Sequence, residues 1–333
     1  MAVLTHQATF PVTYSTLACE ALRRQILPMF GIGPVVQCHF WNRGLSDVYL
    51  VETLTTRYVL RISHTHWRTK SETEFELELL NYLKRCGVAV SAPLYTLDGG
   101  LSVEIHAPEG SRYAALFPYA PGRVPVGDLS IQQAHKLGEA VAHLHQTASA
   151  FHSAARRQPL SLEYLLDESF GVIEPYLRFQ SEDLAYLKNL IDQIKNRLCN
   201  LPKQPPYWTI CWGDPHSGNV HFTADNQLTL FDFDQCGYGW RAFEMAKFLQ
   251  VSIRTGIARK VRDAFFQGYQ TLHALTPEEL EALQPFTQAA HLWNWRIALE
   301  TSKIHSCSRL DEHFFMSRLQ QLKMLQTPEW QLF

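Results

Sequence analysis

The sequence lacks several things, and each absence narrows what it can be. Its seven cysteines, at positions 19, 38, 86, 199, 211, 236 and 307, form no C-x-x-C pair, which argues against a zinc framework or a disulfide-stapled scaffold. Most lie in apolar runs, such as Val36-Gln37-Cys38 and Ile210-Cys211-Trp212, and are expected to be small buried thiols in a reducing compartment. No basic-then-apolar leader opens the chain, and no apolar run approaches the ~18 residues of a membrane span. A cytoplasmic protein with no membrane partner is therefore expected. Nor is there an excess of one charge: 30 Lys and Arg face 32 Asp and Glu, and a net charge of -2 gives no support to a broad nucleic-acid surface. No Gly-x-Ser-x-Gly elbow surrounds Ser217, so a nucleophilic serine is not expected there. Internal repeats and low-complexity segments are missing as well.

What is present suits an ordinary globular protein: 333 residues, 46% hydrophobic and 19% charged, enough for two lobes. A helix is expected over Ser15–Leu27, interrupted at Pro28. Strands are expected at roughly 35–41, 47–53 and 57–62, antiparallel because their connections are too short for crossovers. SETEFELELLNYLKRCG reads as an amphipathic helix with Phe75, Leu79, Leu80 and Leu83 on one face, Ser71 or Thr73 as its cap and Gly87 as its end. Two short strands should flank Asp98-Gly99-Gly100, and a last one should run through Tyr113–Phe117. After the Pro- and Gly-rich linker YAPGRVPVGD the periodicity turns helical, over 130–151, 161–179, 181–199, 241–255, 258–273, 277–305 and 308–325. The expectation is an α+β, bilobal architecture. A small antiparallel β-sheet lobe with one helix (1–118) would precede a larger, mostly helical lobe (119–333).

One stretch interrupts the helical half: TICWGDPHSGNVHFTADNQLTLFDFD, from Thr209 to Asp234. Two apolar runs, Val220-His221-Phe222 and Leu228–Phe233, surround the turn Ala224-Asp225-Asn226 and read as a hairpin. Such a hairpin would bring Asn219, just before its first strand, close to Asp232, near the end of its second. A carboxylate plus an amide oxygen are hard ligands that suit Mg²⁺ on substrate phosphates. Asp214, on the preceding loop, would reach the same spot and could orient a hydroxyl and accept its proton. D-x-x-x-x-N followed by a second Asp is the arrangement used for phosphoryl transfer in protein-kinase-like folds.

The run WGDPHSGN…LFDFD resembles the aminoglycoside phosphotransferase/choline kinase superfamily, which also holds type II homoserine kinases and bacterial stress-response kinases. The resemblance extends from about residue 30 to about residue 300. It implies a protein-kinase-like fold, ATP and Mg²⁺ as cofactors, Asp214 as the catalytic Asp, Asn219 and Asp232 as metal ligands, and a supporting place for Asp234. Family members carry His where this chain has Trp212. An indole N–H only donates, so the support of the loop should differ.

A kinase reading makes demands upstream. Asn42-Arg43-Gly44-Leu45-Ser46-Asp47 sits where a phosphate-covering turn belongs, with Ser46 a candidate phosphate contact. Arg61 in YVLRIS resembles the cation of the family's third strand, able to hold α/β-phosphate oxygens in fork geometry. Counting back from GVAVSAP, which resembles a family motif, Glu76 falls on the position that pairs with Arg61. ALFPYAPGR resembles the hinge that receives adenine. There the Pro118 carbonyl and the Ala120 N–H would meet the base, and Phe117 would stand behind it.

Other residues are assigned by the same weighing. His143 and His145, two apart on a helix, face different ways and are not expected to share a metal; AVAHLHQ resembles the family's L-x-x-L-H, which implies that His145 packs inside the helical lobe. Glu244, in RAFEMAKF, falls where the family commonly has D-L-A, and the resemblance implies that it anchors the catalytic segment from within the helical lobe. Trp293, Asn294, Trp295 and Arg296 lie where related enzymes build the acceptor pocket, and the aromatics there read either as core packing or as a cation-binding wall. Tyr238 and Trp240 carry the same two readings.

The function expected is transfer of the γ-phosphoryl group of ATP to a hydroxyl of a small molecule, an amino alcohol, aminoglycoside or homoserine-like acceptor. A protein Ser/Thr kinase and a nucleotide-binding scaffold are the alternatives. The sequence is silent on oligomeric state.

Overall fold

The structure, a computed structural model, describes residues 10–178 and 180–332. The chain divides into two compact units, one comprising the residues up to Thr73 with Pro93–Tyr119, the other Glu74–Ala92 with the residues from Ala120 onward.

In the first unit the opening helix is shorter and tighter than the sequence suggests. It runs as α1 (Cys19–Ala21), a π turn (Leu22–Ile26) and a 3-10 turn (Leu27–Phe30), and Gly31 ends it in the left-handed region at φ 64°. Pro28 lies at the start of that last turn, where its missing N–H costs no bond. The sheet follows with β1 (Val35–Arg43), β2 (Ser46–Thr53), β3 (Arg57–Ser63), β4 (Val103–Ala107) and β5 (Gly110–Pro118), all antiparallel in the order β1-β2-β3-β5-β4. Of the two strands expected around Asp98-Gly99-Gly100, only β4 forms. The segment before it is pinned instead by Leu94 N–H to Leu116 O and by the turn bond Thr96 N–H to Gly100 O. Two-residue alternation sorts the sheet into two faces. Tyr49, Val51, Leu60, Ile62 and Leu116 pack on Leu22, Leu27 and Phe30. The other face carries Val48 opposite Arg61, Arg61 opposite Ala115, and Val59 opposite Phe117.

At one end of the core face lies a buried polar knot. Arg112, wholly inaccessible, donates from Nη2 to Asp47 Oδ2 (2.9 Å) and from Nε to Ser63 O (2.9 Å). Tyr14 Oη donates to Asp47 as well, and His64 Nε2 lies 3.5 Å from Asp47 Oδ1. Burial opposes the Asp47 charge, but the bonds from His64, Tyr14 and Arg112 override it and hold the carboxyl well below its ordinary range.

In the second unit, α2 (Lys70–Arg85) begins just before the division and packs within it, Phe75 meeting Phe151 at 5.5 Å and Tyr238 at 5.7 Å between ring centroids. This is why residues 74–92 group with the helical unit and not with the sheet that precedes them in sequence. Its cap is Thr69, not Ser71 or Thr73: Glu72 N–H donates to Thr69 Oγ1 (3.3 Å) and Thr69 N–H to Glu72 Oε2 (3.1 Å). At the other end Gly87, at φ 85°, closes the turn with Val88 N–H on Leu83 O.

The remaining helices are α3 (Ile131–Ala148), α4 (Glu168–Leu177), α5 (Ser181–Leu198), α6 (Arg241–Arg254), α7 (Arg259–Gln270), α8 (Pro277–Ser302) and α9 (Glu312–Met324). α3 and α7 cross at glycines. A Cβ on Gly268 would stand 1.9 Å from His135 O, and one on Gly138 2.0 Å from Phe265 O, so any side chain there would push the pair apart. α6 is buried from Arg241 to Ser252. The cysteines depart from expectation. All are free, and Cys211 and Cys236 are buried, but Cys86, Cys199 and Cys307 are exposed, Cys86 and Cys199 each just beyond a helix C-terminus. No helix among the described residues is long and apolar enough to cross a membrane.

Candidate active site

The opening of the site is set by two small sheets in the second unit. β6 (Trp208–Cys211) pairs with β9 (Gly237–Trp240), and β7 (Val220–Phe222) pairs with β8 (Leu228–Leu230), Val220 opposite Leu230. The loop from Trp212 to Asn219 leaves β6 and enters β7, and the segment from Phe231 to Cys236 connects β8 to β9. Phe231 N–H donates to Asn219 O (3.1 Å), which places Asp232 beside Asn219, as the hairpin reading requires. Gly213, at φ 89°, has no room for a side chain: a Cβ would lie 2.1 Å from Gln235 O. Backbone crowding thus holds the two segments together at the residue before Asp214.

Asp214 stands at the centre of a set of donors. Gln235 Nε2 donates to its Oδ2 (3.0 Å), His216 Nε2 lies 3.3 Å from the same oxygen, and Lys247 Nζ lies 3.2 Å from Oδ1. Burial alone would raise the Asp214 pKa. The charge of Lys247, then the bond and charge of His216, override it and hold the carboxyl well below its usual range. Lys247, on α6 and 1% exposed, is pushed down by burial while Asp214 works against that shift. Its Nζ also donates to Asn294 Oδ1 (2.7 Å) and lies 5.2 Å from the centroid of the Trp293 ring.

Asn219 donates from Nδ2 to the main-chain oxygen of Asp214 (3.2 Å), which leaves its amide oxygen for another partner. Asp232 is exposed and left-handed at φ 58°, a conformation a non-glycine residue adopts at a cost of about 1–3 kcal/mol. An amide oxygen just before β7 and an accessible carboxylate just after β8 are hard donors, and they fit Mg²⁺. Asp234 is buried, with its carbonyl accepting from Arg157 Nη2, and Arg157 Nε donates to Cys236 O (2.6 Å).

Trp212 supplies the support that the sequence left unexplained. Its indole N–H is shared between Phe231 O (3.1 Å) and Asp232 O (3.0 Å), tying the Asp214 loop to the backbone that carries Asp232. A donor is all this position needs. Beneath it Glu244 accepts the N–H groups of Trp212 and Gly213, the anchoring role expected of it. His145 lies inside, bonded to Tyr269 Oη (2.8 Å) and 3.3 Å from Glu244 Oε2. His145, Cys211 and Glu244 cluster closely enough to suggest a metal, but burial pushes the Cys211 thiol far up, and both Glu244 oxygens already accept N–H bonds. The cluster reads as core. We expect Trp212→Phe to lower kcat by about 10- to 100-fold, the loss of bonds worth ~1–3 kcal/mol to two backbone carbonyls. Trp212→His should recover much of it, and steady-state kinetics with a melting curve for each variant would check both.

In the first unit, Arg61 lies half-buried on β3 with its guanidinium 5.1 Å from the Phe117 ring centroid. Ser46 starts β2 on the same sheet face, opposite Ser63, and its carbonyl accepts from Gly44 N–H (3.0 Å). Phe117 is buried and Pro118, the last residue of β5, is exposed. Glu76, on α2, and Ala120 belong to the second unit. Glu76 is 2% exposed, and the Ala120 carbonyl is held by His221 Nδ1 (2.8 Å).

Comparison with known proteins settles what this arrangement belongs to. A profile of the phosphotransferase enzyme family matches residues 39–286. The chain belongs to that family. Uncharacterized protein sll1119 of Synechocystis sp. is 55% identical over 97% of this chain and 90% of its own length. Amicoumacin kinase of Bacillus subtilis is 24% identical over 75% of the chain and 77% of its own length. Among solved structures, the microcompartment-associated aminopropanol kinase superposes with a TM-score of 0.73 at 21% identity, covering 86% of this chain and 90% of that one. Amicoumacin kinase hAmiN, in complex with AMP-PNP, Ca²⁺ and Ami, gives 0.71 at 21%, covering 88% and 90%. The fold of this phosphotransferase-family chain is therefore kinase-like and α+β.

Sequence reasoning missed Lys247 and Gln235, which bracket Asp214. A lysine in the apolar helix RAFEMAKFLQVS was the available signal, because a charge there must be paired. The tryptophans it left open are resolved by burial: Trp293, Trp295 and Trp240 are core.

Proposed function

We propose that this protein transfers the γ-phosphoryl group of ATP to a hydroxyl group of a small molecule. The observation that carries the reading is the convergence of Asp214 with Asn219 and Asp232 on two bonded loops, with the Asp214 carboxyl held ionised. Asp214 would align the acceptor hydroxyl and take its proton as the oxygen attacks. The new bond joins that oxygen to the γ-phosphorus, the bond from phosphorus to the β,γ-bridging oxygen breaks, and ADP leaves. Asn219 and Asp232 would hold Mg²⁺, which supplies charge neutralisation on the β- and γ-phosphates when bound.

Arg61 would hold α/β-phosphate oxygens in fork geometry, with Ser46 of the preceding turn beside them. Adenine would lie against Phe117, its exocyclic amine toward the Pro118 carbonyl and its ring toward the Ala120 N–H. The bond from His221 to the Ala120 carbonyl holds the peptide that follows it, on the far side of the Ala120 Cα.

A small-molecule acceptor is favoured over a polypeptide by the size of a half-open pocket beside Asp214. A cavity of about 480 Å³ is lined by residues including Asp214, His216, Arg254 and Asn294, a size suited to a metabolite. Relatives named as amicoumacin and homoserine kinases support the same choice. Trp212, the reason to consider a scaffold without turnover, donates the bonds its place calls for. We place the protein in the cytoplasm, acting without a nucleic-acid or membrane partner.

The test is ADP formation from MgATP across a panel of hydroxyl-bearing metabolites, aminoglycosides and a generic protein acceptor. Turnover with one small-molecule class is expected. Turnover with the protein alone would reverse the choice of acceptor, and none at all with ATP still bound would favour the scaffold.

A further inference from the structure

The cavity beside Asp214 carries its own statement about the molecule it admits. In a site built for a cationic acceptor, uncompensated carboxylates or open aromatic faces would await the ammonium group. Here those places are taken. Asp214 already has Lys247 at 3.2 Å, and the face of Trp293 that could hold a cation is occupied by the same Lys247 Nζ at 5.2 Å. Trp293 and Trp295 are themselves wholly inaccessible and line no wall. The protein has placed its own ammonium where a substrate's would go, and Asn294 and Gln250 lock it there, Asn294 accepting from Lys247 and donating to Gln250 Oε1 (2.6 Å).

What the wall offers instead is a guanidinium. Arg254, at the end of α6, is exposed and has no hydrogen bond or ion pair among the described residues. It is shared by this cavity and two neighbouring grooves, one of which also carries Arg318, Arg309 and His313. Arg318, with no carboxylate partner among the described residues, is pushed down to about 10 by burial and by the charge of Arg254. Two guanidinium groups that repel each other, with no acid between them, are stabilised by an anion. The carboxylates on these walls do not meet that need. Asp214 is neutralised, Asp311 in the groove caps α9 through Phe314 N–H (2.9 Å), and Asp128 is exposed on the segment before α3. Asp128 could accept an ammonium group on the same acceptor, so the presence of an amine does not discriminate; an anionic group does.

We infer that the phosphoryl acceptor is a small hydroxyl compound bearing an anionic group, which Arg254 binds while the hydroxyl lies at Asp214. The inference rests on the reading of Asp214 as the acceptor-side group, and it narrows that reading to one class of substrate. It sets simple amino alcohols and polycationic aminoglycosides aside.

The experiment uses three probes of equal length on the full chain with MgADP bound: 3-hydroxypropanoate, 1,3-propanediol and 3-aminopropanol. Their affinities are read by calorimetry and their turnover with MgATP by ADP release. The anion should bind at least tenfold more tightly than the diol and more tightly than the amine. Arg254→Gln should lower anion affinity at least tenfold and leave the diol within about twofold, and Arg254→Glu should turn the preference toward the amine. Arg254 is exposed, so both variants should fold, and a melting curve verifies it. An anion bound no better than the diol, or equally well by Arg254→Gln, would overturn the inference. Because binding is measured apart from turnover, anion selectivity without ADP release would leave this inference standing and contradict the proposed reaction instead.

Discussion

Asp214→Asn should reduce acceptor phosphorylation by three orders of magnitude or more while nucleotide affinity changes less than about threefold. The carboxylate is placed to take one proton and to align one oxygen, and an amide of the same shape does the first not at all. General-base assistance alone contributes about 10²–10⁴-fold, and misdirection of the hydroxyl adds to that loss. The variant also leaves Lys247 buried beside an amide in place of a carboxylate. That charge keeps the Asn294 oxygen and the Trp293 face, so a modest fall in melting temperature is expected, not unfolding. Initial rates of ADP release and calorimetric titration with MgATP would separate the two effects. A variant within tenfold of the native rate would remove Asp214 from its role.

The second large effect concerns stability and lies away from the chemistry. Asp47→Ala should destabilise the protein by about 3–5 kcal/mol, because it takes from the inaccessible Arg112 guanidinium its carboxylate at 2.9 Å and leaves only the longer Glu109 contact at 3.4 Å. Ser63 O still accepts from Nε, so some polar satisfaction remains. Replacing both members, as in Asp47→Leu with Arg112→Met, should cost less than Asp47→Ala alone.

The pH dependence has a definite sign. The native Asp47 carboxyl lies below its unfolded value of about 3.9, so the unfolded state binds the proton first as pH falls. The stability it confers is complete above about pH 5 and is lost as pH drops through the unfolded and then the native pKa. Denaturant melts of Asp47→Ala and the native protein should therefore differ most near neutrality and converge in acid. A difference that stayed constant down to pH 2 would show that the pair contributes packing and not charge.

Much of the site was legible because kinase chemistry leaves short-range marks. Asp214, Asn219 and Asp232 fall within one hairpin and its flanking loop, so local strand and turn signals were enough to bring them together, as the Phe231–Asn219 bond does. Glu244, one turn into α6 and accepting the N–H groups of Trp212 and Gly213, was foreseen only through the family resemblance. Lys247 and Gln235 were not, because their partnership with Asp214 depends on how α6 and the segment after Asp232 pack against the loop, and no spacing rule encodes that. Trp212 was visible as an oddity, but its purpose is a pair of carbonyls 19 and 20 residues away.

In the fold, the strands β1, β2 and β3 came close because alternation and short turns specify them locally. The strand expected before Asp98 failed because its backbone bonds go to three separate places, Leu94 N–H to Leu116 O, Thr96 N–H to Gly100 O and Leu97 N–H to Met29 O, and form no ladder. Likewise the helix cap fell to Thr69, outside the apparent start of the amphipathic run, since Glu72 reaches back to it.

The measurement that tests the central claim most directly is phosphorus NMR of MgATP incubated with the protein and a hydroxyl acceptor. The account predicts that ADP and a new phosphate monoester appear in equal amounts, at a rate that Asp214→Asn removes. ADP accompanied only by inorganic phosphate, or a monoester formed equally well by Asp214→Asn, would contradict it.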